Sequence, residues 1–230
     1  MIFSAFSKAV SQMGDPRFRR VLLTGIALTI ALLIAASAAF IALVNWLVGG
    51  DVTLPLLGQV AWVDDLLSWA SVGLMMVLSV FLMVPVASAI TSMFLDDVAQ
   101  AVEDRHYPGL PQVPGVPLGE ALRDTVNFLG VLIGANLLAL ILYVIFTPFA
   151  PFIFWALNGF LLGREYFTLA AMRRVGRAGA KQLRAQHRGT IWLAGVLMAI
   201  PLSVPLLNLL IPILGAATFT HIFHAVQRQP

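Results

Sequence analysis

The chain has 230 residues, of which 60% are hydrophobic and only 11% charged, with no cysteine and a formal net charge of +3. Soluble domains carry about 25% charged residues, and a fold of this length cannot hide so much apolar surface from water, which excludes a soluble enzyme. Without thiols there are no disulfides or cysteine metal sites, and the basic excess lies beside apolar segments, where it sets membrane orientation rather than binding nucleic acid.

From the N-terminus, Ile2, Phe3, Phe6, Ala9, Val10 and Met13 recur at helical spacing and predict an amphipathic surface helix over 2–13, ended by Gly14. Asp15 and Pro16 read as the cap and first position of a second helix. A charge-free run from Val21 to Val48, about 42 Å long as helix, makes 16–48 the first transmembrane helix. A cleaved signal peptide ending at the small residues Ala35 to Ala39 is the rival reading. The apolar run continues through Phe40, Ile41, Leu43 and Trp46, which favours an uncleaved helix. Lys8, Arg17, Arg19 and Arg20 before this apolar run, against Asp51, Asp64 and Asp65 after it, put the N-terminus in the cytoplasm.

Leu66 to Leu95 is again free of charge and returns the chain. Asp96, Asp97, Glu103, Asp104 and Arg105 follow without a helix breaker, so 66–105 is expected to be a second transmembrane helix with a cytoplasmic extension. Pro108, Pro111, Pro114 and Pro117 then recur at the three-residue period of polyproline II, giving a stiff strut over 107–119.

The third charge-free stretch, Thr125 to Gly163, has Pro148 and Pro151 near its middle. The densest basic cluster follows it and is cytoplasmic by the same charge rule, so the stretch enters and leaves on one side. A helical hairpin over 120–163 results, with arms of about 18 residues, borderline for a full crossing. Arg173, Arg177, Lys181, Arg184 and Arg188 fall at helix-compatible spacing and predict one basic stripe on a cytoplasmic helix, 164–188, facing anionic lipid headgroups; Gly176 and Gly179 weaken that helix. The last stretch, Gly189 to Gln227, is interrupted by Pro201 and Pro205. Its first arm, Ile191 to Ile200, is only about 15 Å of helix, so 189–227 forms a second, partly inserted hairpin. His221 and His224 share a helix face there and read as packing residues, with no acidic neighbour in sequence. The fold class expected is an all-α integral membrane protein. It has two long transmembrane helices, two partly inserted helical hairpins and a cytoplasmic helical head, and lies in a bacterial inner membrane with both termini cytoplasmic.

The start of the first membrane helix is the place where chemistry is expected. A helix N-terminus offers free N–H groups and a positive dipole end, and Arg17, Arg19 and Arg20 add fork-shaped donors suited to a tetrahedral oxyanion. Two observations pull the other way: Asp15, as cap, competes for the same donors, and three juxtamembrane arginines also serve simply to fix orientation and grip lipid phosphates.

Gly14 to Val21, reading GDPRFRRV, and Asn158 to Arg174, reading NGFLLGREYFTLAAMRR, resemble the CysZ-type sulfate permease family, with its etoposide-induced-protein-like membrane domain. The resemblance implies the same order of segments, homo-oligomeric assembly, and inward passage of sulfate or a related oxyanion feeding sulfur assimilation. It places the family's Gly-Leu-Arg anion motif at Arg17, Phe18 and Arg19, with Arg17 in the glycine's position and Arg20 beside it. A second matched motif holds Asn158, Arg164, Glu165 and Tyr166, where Arg164 and Glu165 could also form a structural ion pair. Transport without covalent chemistry, cofactor or metal is thus the expectation. The alternative is a membrane scaffold or homeostasis protein that binds partners through its charged head. No nucleophile with its base, metal-ligand spacing or nucleotide loop supports a membrane enzyme.

Overall fold

The computed structural model describes residues 1–48, 53–54, 58–59, 95–111, 113, 118–204, 207 and 210–228. Among them every regular element is helical except a two-residue antiparallel ladder, β1 (Thr53–Leu54) with β2 (Gly58–Gln59), in which Thr53 faces Gln59. The expected second crossing lies outside the described residues except at its charged end from Leu95 on, and so do Pro114 and Pro117 of the expected strut.

The chain divides into two units, Gly25–Ala87 and a larger one made of Met1–Thr24 with Ser88–Pro230. The smaller unit holds most of α2 (Pro16–Val48) and the ladder. The larger unit contains α1 (Ile2–Ser11), the start of α2, α3 (95–106), α4 (Leu118–Ile145), α5 (Ala150–Gln186), α6 (Arg188–Ala199) and α7 (Ile211–Gln227). Short 3-10 turns at Thr147–Phe149 and Ile200–Ser203 follow α4 and α6.

Residues Val126–Ile145 of α4 form a run long and apolar enough to cross a membrane, two residues more than the arm expected from sequence. At 1.5 Å per residue it matches the roughly 30 Å hydrocarbon core. Apart from the buried Ala139, its side chains lie largely outside the protein core: Leu137, Leu138, Leu140, Ile141 and Val144 are all exposed. The helix stops where Pro148 cannot continue it, and the Thr147 hydroxyl donates to the Tyr143 carbonyl at 2.9 Å.

The core is built around α7, whose Ile213, Ala217, Phe219, Ile222, Phe223 and Val226 are buried. Phe167 of α5 meets Phe223 edge-on at 6.4 Å. α5 and α6 approach so closely that a Cβ at Gly195 would collide with the Gly159 carbonyl oxygen. On α1 the expected apolar face divides. Ala5, Ala9 and Gln12 are buried and Ile2, Phe6 and Met13 pack against the core, whereas Phe3 and Val10 remain exposed.

The basic stripe expected over 164–188 does not form as one line. Gly176 adopts φ 67°, ψ 179°, a conformation open essentially to glycine, and breaks α5 there. The chain folds back, so that Arg184 Nη1 reaches Thr168 Oγ1 at 2.8 Å across 16 residues. A continuous helix would hold them about 24 Å apart. Arg173 consequently points into the protein and is buried, while Lys181 and Arg188 stay exposed.

Candidate functional site

At the start of α2, Asp15 caps the helix through Oδ1, which accepts the Arg17 N–H at 2.9 Å, and through its carbonyl, which accepts the Arg19 N–H at 3.1 Å. Gln12 steadies the cap, its Nε2 donating to Asp15 Oδ2 at 3.1 Å and to the Ala101 carbonyl of α3 at 3.0 Å. The backbone donors thought available to an anion are thus partly taken. Arg17 reaches across to α3 and pairs with Asp104 at 2.5 Å, and Gln100 donates to the other oxygen of the same carboxylate at 2.8 Å. Those two bonds hold the Asp104 carboxyl below its ordinary range, the Arg17 bond most of all. Phe18 is fully buried in the core and anchors the helix start. Arg19 and Arg20 are exposed, and neither makes an ion pair among the described residues.

Behind this pair lies a buried ionic network. Glu103, 2% exposed, receives Arg174 through Nε at 3.0 Å and Nη2 at 2.6 Å, Arg173 Nη1 at 3.3 Å, and His224 Nε2 at 2.9 Å. An ionised carboxylate only accepts, so His224 carries its proton on Nε2. Burial by itself would raise the Glu103 carboxyl, but the bonds from His224 and Arg174 and the two guanidinium charges outweigh it and hold the group at about 2. Arg173 also pairs with Asp96 at 3.3 Å and donates to Gln100 Oε1 at 2.9 Å, and Arg174 donates to the Pro111 carbonyl at 2.7 Å. Tyr107 shares a hydrogen bond with His221 Nδ1 at 3.0 Å, stacks near His224 with ring centroids 4.2 Å apart, and lies under the Arg228 guanidinium. Gln100 therefore touches both constellations and ties the α2 start to the network.

The second motif has a packing role. Asn158 donates to the Phe154 carbonyl of its own helix at 2.8 Å, and the Arg164 carbonyl accepts the Thr168 hydroxyl. Tyr166 is buried, stacks on Phe219 and fills the space beside Gly215. Arg164 and Glu165 do not form the ion pair that their adjacency in sequence allowed. Among the described residues no hydrogen bond joins this motif to Arg17–Arg20.

Sequence reasoning missed the Glu103 network because its members lie up to 121 residues apart. The signal available was local: Glu103 follows Ala101 and Val102, Arg173 follows Ala170, Ala171 and Met172, and His224 follows Ile222 and Phe223. A buried charge needs a partner, so a charge directly following apolar residues on a helix is a place to look for one.

No curated protein matches the chain. A family model described as sulfate transporter CysZ/etoposide-induced protein 2.4 matches residues 5–212, most of the chain, including the α2 start, the Glu103 and Arg173–Arg174 part of the network and the 158–166 motif. The chain belongs to the sulfate transporter CysZ/etoposide-induced protein 2.4 family.

Proposed function

We propose that this protein is a bacterial inner-membrane transporter that admits sulfate or a related oxyanion for sulfur assimilation, by a channel-like route without covalent chemistry or cofactor. The observation that carries the reading is the pair Arg19 and Arg20 in the first turns of α2, exposed and without ion partners among the described residues, immediately before its charge-free run. Because Asp15 already caps the helix, the anion is held chiefly by guanidinium forks, which match a tetrahedral dianion two bonds at a time. Membership of a family described as a sulfate transporter supports the same substrate class. The scaffold reading is disfavoured because Glu103, Arg173 and Arg174, the charges a docking head would display, are turned inward.

In this reading both termini and the 164–188 region are cytoplasmic, the α4–α5 and α6–α7 pairs are membrane-inserted hairpins, and copies of the chain associate around them. Polar backbone at the hairpin turns, such as Ile200–Ser203, needs protein or water rather than lipid around it. The test is sulfate binding by calorimetry in detergent. Replacing Arg19 and Arg20 together by lysine keeps the charge and removes the forks. Charge-assisted bonds contribute about 1.5–3 kcal/mol each, so the double variant is expected to bind about two to four powers of ten more weakly. Equal binding by parent and variant would sink arginine recognition.

A further inference from the structure

The Arg17–Asp104 pair carries an inference that rests on the oxyanion reading above. Arg17 stands one turn before Arg20 on the same face of α2, so an anion docked on Arg20 lies within reach of the Arg17 fork. That fork is engaged by a carboxylate, which presents to a guanidinium the same paired oxygens that sulfate does. Both partners are open to solvent, at 56% and 42% exposure, and a pair so exposed is weakly held and readily exchanged. Asp104 is nevertheless aimed: Gln100 fixes its other oxygen, and Gln12 ties the α2 start to α3 so that Arg17 faces it.

We propose that Asp104 is an internal competitor for the incoming oxyanion, occupying Arg17 at rest and yielding it when the anion docks against Arg20 and Arg19, so that this one carboxylate sets the affinity of the site. Without it Arg17 would be a permanent third cation and the anion would be released slowly. A conduit needs a site that is entered and left with equal ease.

Nearby negative charge alone would produce part of the same effect, and Asp97 provides the control. It lies within electrostatic reach of Arg17 but makes no hydrogen bond to it. Sulfate affinity is measured by calorimetry for the parent and for D104N, D97N, R17Q and R17Q/D104N. The expected result is about tenfold tighter binding by D104N, one charge-assisted bond's worth after solvent screening, and a change under about twofold both for D97N and between R17Q and R17Q/D104N. Asp104→Ser provides the same reading should D104N assemble poorly. Unchanged or weaker binding by both Asp104 variants, or equal tightening by D97N, overturns the competitor role while leaving the oxyanion site intact. A parent protein that is folded yet binds no sulfate removes the oxyanion reading itself, and the competitor with it.

Discussion

Glu103 is the residue on which most of the polar interior depends. Replacing it with glutamine removes the anion, leaving Arg174 buried without a carboxylate and Arg173 with Asp96 alone, a change that costs about 3–5 kcal/mol in comparable buried pairs. The pH dependence follows from the direction of its shift. The folded group titrates at about 2, below its ordinary value, so the unfolded chain binds more protons between the two and the contribution is complete only above the ordinary carboxylate range. As pH falls through that range toward about 2 the contribution disappears. Thermal unfolding in detergent, followed by circular dichroism, is therefore expected to separate parent from Glu103→Gln widely at pH 7 and progressively less toward pH 3. A constant gap across that range would contradict the network as described. At this scale the sequence was legible where a residue's partner is local. Asp15 as a cap was readable because the N–H groups it accepts, those of Arg17 and Arg19, are two and four residues away. Arg17's engagement with Asp104, 87 residues on, was not.

Helices and their interruptions were more readable than side-chain partners, because proline and glycine act on the backbone within a turn or two. Pro148 and Pro201 fall in the 3-10 turns that end α4 and α6, as their lack of an N–H requires. Gly176 breaks α5 as its composition warned, but the direction of the fold-back, set by the Arg184 and Thr168 contact, had no local signal. The glycines of α5 and α6 make a sharper test of element packing. Gly195→Ala places a methyl group against the Gly159 backbone, which cannot swing aside, and is expected to lower stability by about 1–3 kcal/mol. Gly134→Ala, on the open face of α4, meets nothing within 4 Å and should be neutral or stabilising by up to about 1 kcal/mol through helix propensity. Parallel melting curves check both, and equal effects would show that the α5–α6 approach is looser than drawn.

Over the whole molecule, the segments assigned to one side of the membrane by their charges also gather in space. The α2 start, the end of α3, the middle of α5 and the end of α7 meet through Gln100, Glu103, Arg173, Arg174 and His224. This agrees with the cytoplasmic placement proposed for them. A reporter enzyme active only outside the cytoplasm, fused after Arg228, is expected to stay silent, and strong activity would invert the proposed topology. The length of the links in this cluster also dictates when it can exist. During synthesis Glu103 leaves the ribosome 70 and 71 residues before Arg173 and Arg174 and 121 before His224. At about 5–20 residues per second, roughly 6–24 s pass before its imidazole partner has even been made. The two arginines can meet the carboxylate earlier, but its last bond forms only after α7 arrives, so α7 closes a cluster whose carboxylate was translated long before it.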